Sequence, residues 1–421
     1  MGSHGDAKKF TIRILVAMGL SVIFGLIMQF LALPDSVMQG LLTVLEMGGT
    51  LFITLLKMLV VPVVFVSLVC GVSQLGDLKQ LGRIGSKSIG LYMLTTMIAV
   101  SIAIFFASLF HVGVGVGTVP LEKEVAIAPL SIADIFLNIF PSNPIEALAS
   151  GDMLQIVFLA ILLGASITMS GSAGQRVAKG FQSFNEVVMH IVVWIMQLAP
   201  FGVFCLLGRH IAHAGVGSLL SLLYYFMVML LILSLQLFGV YSLFLWVFAR
   251  INPIAFFKKA YAAMIFAFSV SSSAASIPIV LETVKSRLGV DNKVASFVIP
   301  VGATINMDGT AIMQGVATVF IANAFNIHLG FSAYLSVVAL ATLASIGTAG
   351  VPGVGMVTLA MVLQHVGLPV EGIAMVLGVD RILDMVRTGV NVGGDMMVSC
   401  VVASSERCLD REVAFPLTEA R

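Results

Sequence analysis

Charged residues are scarce in this sequence. Lysine, arginine, aspartate and glutamate make up only 10% of the 421 residues, whereas a typical soluble domain contains about 25%. Hydrophobic residues make up 59% of the chain, and the mean hydropathy is +1.08. This composition excludes an ordinary soluble domain and indicates a polytopic protein embedded in a lipid bilayer.

Basic clusters and paired cysteines are also missing. The formal net charge is +1, and no basic stripe exists that could neutralise phosphates, which excludes a nucleic acid partner. The four cysteines lie far apart in mostly apolar surroundings, without the spacing of zinc ligands or of a disulfide framework. They are Cys70, Cys205, Cys400 and Cys408. We expect them to pack between helices.

Long apolar runs predict an all-α membrane protein with eight transmembrane helices and two re-entrant helical hairpins. The first six runs cover about residues 14–33, 37–72, 86–110, 132–169, 187–207 and 219–248. Pro141, Pro144 and Gly151 break the fourth run into helical pieces. With the N-terminus inside, most lysines and arginines fall on the cytoplasmic side. We therefore expect a multi-pass protein of the cell (inner) membrane with both termini cytoplasmic.

The last 160 residues contain an internal repeat. Residues 260–281 are apolar but contain a serine cluster and Pro278, and residues 335–363 are apolar around a glycine-rich centre. Each pattern indicates a hairpin whose tip exposes backbone and hydroxyl groups inside a protein-lined cavity. A helix bearing asparagine and aspartate follows each hairpin. Inverted repeats of this kind are typical of transporters with a binding site near the membrane midplane.

Residues 379–395 form the most informative stretch of the chain. Asp380, Asp384, Arg387, Asn391 and Asp395 follow one another in steps of three and four, so they share one face of a helix. Ionisable groups at membrane depth are costly and usually face a bundle interior or a water-filled cavity. This helix is therefore a candidate functional site.

Carboxylates outnumber guanidinium groups near the predicted midplane. The groups are Asp308, Asp380, Asp384 and Asp395 against Arg381 and Arg387. The excess leaves a formal charge of about −2, which bound cations could offset. The unwound backbone predicted near Asn306 and Ser345 offers carbonyl ligands that hard cations prefer.

Arg387 and Asp384 suggest the class of substrate. A guanidinium suits a carboxylate, and an aspartate one turn earlier suits an ammonium, which together describe an acidic amino acid. Backbone N–H groups of the hairpin tips could bind its main-chain carboxylate. Each feature also has a structural interpretation. Asp380 and Arg381 could form a structural ion pair, and Arg387 and Asp384 could pair only with each other. The serine cluster could simply pack between helices.

At these residues the chain resembles the dicarboxylate/amino acid:cation symporter family, the prokaryotic relatives of the excitatory amino acid transporters. The motifs are Ser271-Ser272-Ser273, Asn306-Met307-Asp308-Gly309-Thr310, Gly350-Val351-Pro352-Gly353 and the pattern from Asp384 to Asp395. The resemblance covers nearly the whole chain. It implies a homotrimer with an elevator-type mechanism. The scaffold would comprise residues 1–85 and 112–215, and the mobile transport domain residues 86–111 and 216–421.

The resemblance also implies a set of site residues. Substrate contacts would come from Ser272, Ser273, Thr310, Val351, Pro352, Gly353, Asp384, Arg387, Thr388 and Asn391. Two to three cotransported Na⁺ ions are implied. The first would bind at Gly302, Asn306, Asn391 and Asp395. The second would bind at Thr304, Met307, Ser345, Ile346 and Thr348. The third would bind at Tyr92, Thr95, Thr96, Asn306 and Asp308.

Three positions depart from relatives in the family. Ser271 stands where archaeal members have an arginine in the first hairpin tip. Arg381 can take over that charge, although proton-coupled bacterial members also have an Asp-Arg pair there. Gln314 replaces the proton-carrying glutamate of animal members, which argues against proton cotransport through that position. Asp395 is retained where proton-coupled members often lack it, which favours sodium.

The sequence thus predicts a sodium-coupled symporter, not an enzyme, that imports aspartate or glutamate. A C4-dicarboxylate or another amino acid is an alternative substrate for the same fold. An intramembrane aspartyl protease using Asp308 and Asp395 would leave Arg387 and both hairpins without a role. An ion channel would need a continuous polar face lining a pore, which the sequence lacks.

Overall fold

The computed structural model describes residues 4–30, 34–73, 78–116, 140–214, 216–346 and 353–411. Helices provide nearly all the regular structure of these residues, which confirms the predicted all-α class. The first eight are α1 (His4–Phe30), α2 (Asp35–Ser73), α3 (Leu78–Leu109), α4 (Pro144–Ser150), α5 (Met153–Met169), α6 (Gly171–Gln197), α7 (Ala199–Ala214) and α8 (Val216–Ser234). A π-helical turn (Leu235–Val240), α9 (Tyr241–Phe244) and a second π-helical turn (Leu245–Ala249) continue α8.

The remaining helices belong to the region of the internal repeat. They are α10 (Pro253–Val270), α11 (Ser273–Ser286), α12 (Asn292–Ile305), α13 (Asp308–Ala324), α14 (Phe331–Ser345), α15 (Val354–His365) and α16 (Ile373–Ser405). Helix α16 packs against α10, α12 and α13 and is buried along most of its length. Its polar stripe therefore faces protein rather than the surface.

Three described helices are long and apolar enough to cross a membrane by length and composition. They are Arg83–Leu109, Leu220–Ala249 and Pro253–Val270. A fourth candidate is the pair Gly171–Ile195 and Ala199–Arg209, which bends by 47° within the predicted fifth span. The first two match predicted spans three and six. Pro253–Val270 coincides with the first arm of the predicted first hairpin.

The first predicted hairpin is a pair of contacting helices, α10 and α11, that meet at Ser271. Asn252 caps α10 by accepting a hydrogen bond from the Ile254 N–H, and Pro253 occupies the first turn, where a missing N–H costs nothing. At the other end Ser271 adopts a left-handed conformation with φ of 53°, and Ser272 caps α11 through the Ala275 N–H. The serine cluster thus ends one helix and begins the next.

The two halves of the repeat differ in their second helix. Between α12 and α13 the helix is interrupted at Asn306 and Met307, as predicted, so backbone groups are freed beside Asp308. Helix α16, the corresponding helix of the second half, runs unbroken through Asp395. Most of the second hairpin tip, residues 347–352, lies outside the described residues.

A cluster of charged residues joins the end of α16 to the start of α3. The Glu406 carboxylate accepts hydrogen bonds from the Lys87 ammonium at 2.6 Å and from the Arg83 guanidinium. We call these three residues the Glu406 clasp. They connect the two helices across 319 residues of sequence.

Candidate functional site

Arg387 is the centre of a buried ion-pair network on α16. Its side chain is 1% exposed, and its Nη2 donates to Asp380 Oδ1 at 2.6 Å and to Asp384 Oδ1 at 3.1 Å. Arg381 Nη1 donates to the other oxygen of Asp384 at 3.3 Å. The sequence suggested separate pairs, whereas the structure joins all four residues in one network. Asp380 lies two turns before Arg387 and still accepts a hydrogen bond from it.

Much of the donor capacity of Arg387 is unused. Among the described residues, neither Nε nor Nη1 makes a hydrogen bond, although both atoms are buried. These two nitrogens carry three N–H bonds. A Cβ atom added to Gly355 would lie 3.2 Å from Nη1 and 3.4 Å from the Thr310 methyl group. Gly355 and Thr310 thus lie beside the unpaired part of the guanidinium.

Asp308 lies in a second polar cluster, at the start of α13. Its Oδ1 accepts from the Thr96 hydroxyl at 2.6 Å and from Thr95 at 3.5 Å. Its Oδ2 accepts from the Tyr241 hydroxyl at 2.8 Å and from Gln236 Nε2 at 3.0 Å. All four donors are neutral, so they solvate the carboxylate without cancelling its charge.

Asn306 connects Asp395 to the helix break. Its Nδ2 donates to Asp395 Oδ1 at 2.9 Å and to the backbone oxygen of Asn391 at 3.1 Å. Among the described residues, nothing donates to its buried Oδ1. A Cβ atom added to Gly302 would lie 2.5 Å from Asp395 Oδ1, and one added to Gly394 would lie 2.6 Å from Asn306 Nδ2. Glycine at both positions allows this close approach.

The charges therefore divide into two groups. Two guanidinium groups offset the carboxylates of Asp380 and Asp384, whereas the described hydrogen bonds to Asp308 and Asp395 come from neutral groups. The formal charge of about −2 expected from sequence is thus concentrated around the break between α12 and α13. Cations bound there would lower the cost of burying it.

This arrangement can be compared with known proteins. The family model described as the Sodium:dicarboxylate symporter family matches residues 10–405. The chain belongs to this family. Its members are transporters of the symporter type, not enzymes, so the protease interpretation of Asp308 and Asp395 is wrong.

Curated relatives of this symporter cover most of its length. A Proton/sodium-glutamate symport protein of Bacillus caldotenax is 36% identical over 85% of this chain and 87% of its own. A Proton/glutamate-aspartate symporter of Escherichia coli (strain K12) is 34% identical over 96% of this chain and 94% of its own. A C4-dicarboxylate transport protein of Deinococcus deserti is 31% identical over 96% and 90%, respectively.

Two of the three cation sets expected for the symporter are brought together. Gly302, Asn306, Asn391 and Asp395 lie in mutual contact around the helix break. Thr95 and Thr96 hydrogen-bond to Asp308, and the Tyr92 hydroxyl lies beside Gly302 while donating to the Val298 carbonyl at 3.0 Å.

The remaining expected cation set is not joined by a described hydrogen bond. The Thr304 hydroxyl donates to its own helix at Val301, and the Ser345 hydroxyl does the same at Thr342. Met307 Sδ accepts from Asn391 Nδ2 at 3.3 Å. Ile346 follows α14, and Thr348 lies outside the described residues.

Five of the expected substrate residues lie on or beside one face of α16. Asp384, Arg387, Thr388 and Asn391 lie on α16, and Thr388 donates to the Asp384 carbonyl at 2.7 Å. Asn391 Oδ1 accepts from the Gly309 N–H at 2.7 Å, which brings the start of α13 and Thr310 to this face. Helix α11, which carries Ser273 and is capped by Ser272, also packs on α16. Gly353 directly precedes α15 and has a left-handed backbone conformation with φ of 89°. Val351 and Pro352 lie outside the described residues.

Gln236 and Tyr241 are site residues that were not predicted from the sequence. Both side chains are completely buried and both hydrogen-bond to Asp308. One signal was visible, because a glutamine in the middle of the apolar run 219–248 is expensive unless it has a polar partner. The π-helical turn that aims both residues at Asp308 could not be foreseen from the apolar pattern.

Proposed function

We propose that this symporter imports acidic amino acids, aspartate or glutamate, together with sodium ions. The observation that carries the proposal is the buried Arg387 guanidinium with Nε and Nη1 unpaired among the described residues. Donors left unpaired in a buried site reject ligands that cannot accept from them and select a ligand that can. The side-chain carboxylate of an acidic amino acid supplies charged acceptors of this kind.

Sodium is the proposed coupling ion, and two to three ions accompany each substrate. The support is the uncompensated charge of Asp308 and Asp395, together with the Asn306 Oδ1 acceptor that has no described donor. Oxygen ligands and negative charge suit a hard monovalent cation. The Bacillus caldotenax relative is also named as a Proton/sodium-glutamate symport protein.

Coupling follows from the position of Asn391 between the helix break and the ion-pair network of Arg387. Asn391 Oδ1 accepts from Gly309 N, while the Asn391 carbonyl accepts from Asn306. Asn391 therefore contacts residues on both sides of the break, and it lies one turn after Arg387. An ion that orders Asn306 would also order the residues that bind substrate, so each ligand would raise the affinity for the other.

The proposed assembly is a homotrimer in the cell (inner) membrane with both termini cytoplasmic. In the elevator mechanism, α1, α2 and α4 to α7 belong to the scaffold. Helix α3 from residue 86 and the helices from α8 onward form the transport domain. Helix packing supports this division, since α1 packs on α7 and α2 on α5 to α7, whereas α3 packs on α13 and α14.

A C4-dicarboxylate is the second candidate substrate. Both oxygens of Asp384, the proposed acceptor for the substrate ammonium, already accept hydrogen bonds from guanidinium groups. A dicarboxylate needs no ammonium acceptor, and the Deinococcus deserti relative is named as a C4-dicarboxylate transport protein.

Titration calorimetry of the purified protein with L-aspartate, L-glutamate and succinate, each at low and at saturating sodium, tests the proposal. We expect the two amino acids to bind more tightly than succinate, and their affinity to rise with sodium. Tighter binding of succinate would support the second candidate. Affinities independent of sodium would contradict both.

A further inference from the structure

Gln236 lies between the proposed cation ligands without belonging to any expected set. Its Nε2 donates to Asp308 Oδ2 at 3.0 Å and to the Thr95 carbonyl at 3.5 Å. These two acceptors determine which end of the amide is nitrogen. Its Oε1 is buried and accepts no hydrogen bond from the described residues.

The local helix geometry brings Gln236 and Tyr241 to the same carboxylate. In an α-helix, residues five apart point about 140° away from each other. Here the Tyr241 N–H donates to the Gln236 carbonyl, which is the hydrogen bond of a π-helical turn. The wider turn places both side chains on one side, where each donates to Asp308 Oδ2. Such turns are rare and often occur at functional sites.

From this geometry we infer that Gln236 is a direct ligand of the cation bound at Asp308, through Oε1. The inference rests on the proposed sodium coupling and adds a ligand that the expected set lacks. A buried amide oxygen without a donor is costly, and a hard cation is a natural partner for it. The hydrogen bond from Nε2 to Asp308 fixes the orientation of the amide group. Oε1 therefore stays close to the ion bound at Asp308.

Tyr241 has a different role at the same carboxylate. Its hydroxyl donates to Asp308 at 2.8 Å. A hydroxyl donor stabilises the carboxylate when no cation is present, so it competes with the cation for the same charge. Removing it should not weaken cation binding, whereas removing a ligand oxygen should.

The test compares the sodium dependence of L-aspartate uptake in proteoliposomes for the parent, Gln236→Met and Tyr241→Phe. Gln236→Met keeps the side-chain length but removes the oxygen and the donor. We expect its apparent sodium affinity to fall about tenfold, with the KM for aspartate at saturating sodium unchanged. Tyr241→Phe should bind sodium at least as tightly as the parent. Tyr224→Phe is the matched control, since that hydroxyl is on the same helix but donates to the Phe110 carbonyl.

Equal weakening in Gln236→Met and Tyr241→Phe would overturn the inference, because both residues would then act only as donors to Asp308. An unchanged sodium affinity in Gln236→Met would also overturn it. If Gln236→Met does not fold, Gln236→Glu carries the test, because it keeps an oxygen at the position of the proposed ligand. It should retain the parent's sodium affinity, and a tenfold loss would overturn the inference. Sodium-independent uptake by the parent would instead refute the proposed function, and the inference with it.

Discussion

Replacing Arg387 by lysine should separate substrate binding from folding. Arg387→Ala would remove the proposed substrate contact. It would also leave the buried Asp380 and Asp384 without Arg387, and breaking a buried pair costs about 3–5 kcal/mol. A lysine ammonium can remain beside these carboxylates. It cannot reproduce the N–H donors that Nε and Nη1 direct away from them.

The size of the effect follows from the donors that are lost. A hydrogen bond to a charged group contributes about 1.5–3 kcal/mol, so the loss of one or two should cost about 3 kcal/mol. This corresponds to a roughly hundredfold weaker affinity for aspartate. Sodium binding in the absence of substrate should be nearly unchanged, because Asp308 and Asp395 keep their described partners.

Titration calorimetry with aspartate at saturating sodium measures this change, and thermal unfolding confirms that Arg387→Lys is folded. Arg209→Lys is the matched control, because Arg209 also pairs with a carboxylate, that of Glu46 at 3.1 Å, and also has a buried Nε without a described partner. If a folded Arg387→Lys protein binds aspartate as tightly as the parent and the Arg209→Lys control, the assignment of Arg387 to the substrate carboxylate is wrong.

Three further substitutions test the substrate site, the cation site and the Glu406 clasp. Gly355→Ala places a methyl group 3.2 Å from Arg387 Nη1 and should raise the KM for aspartate about three- to tenfold, whereas Gly90→Ala, with open space around it, should not. Asp395→Asn removes one of the two carboxylate charges at the helix break, leaving that of Asp308. It should lower the apparent sodium affinity of uptake by about tenfold, while the maximal uptake rate at saturating sodium persists. Lys87 and Arg83 lower the pKa of Glu406, so the clasp should stabilise the fold at neutral pH. This effect should be lost as the pH falls from the ordinary glutamate pKa, about 4.3, through the lowered pKa of the folded state. Melting temperatures of Glu406→Gln should lack that component of the pH dependence.

The helix break at Asn306 was predictable because the signal is local. Asparagine, aspartate and glycine close together in the chain tend to interrupt a helix. Within an apolar span, such an interruption also indicates a polar site inside the protein. The polar stripe of α16 was predictable for a similar reason, since a helical period places its members on one face. The structure confirms that Asp380, Arg387, Asn391 and Asp395 are all buried there.

The pairing within that stripe was harder to predict. Neighbours in sequence suggested Asp380 with Arg381, but adjacent residues on a helix point about 100° apart. The long Arg387 side chain instead extends back along α16 to Asp380. The contacts of Gln236 and Tyr241 with Asp308 depend on a π-helical turn and on packing between helices that are distant in sequence. Neither feature produces a periodic pattern in the sequence.

Uptake of radiolabelled L-aspartate into proteoliposomes, with sodium, proton and potassium gradients imposed one at a time, distinguishes sodium coupling from proton coupling. We expect concentrative uptake driven by an inward sodium gradient, and no such uptake when a proton gradient is imposed in sodium-free buffer. Uptake driven equally well by protons without sodium would contradict sodium coupling.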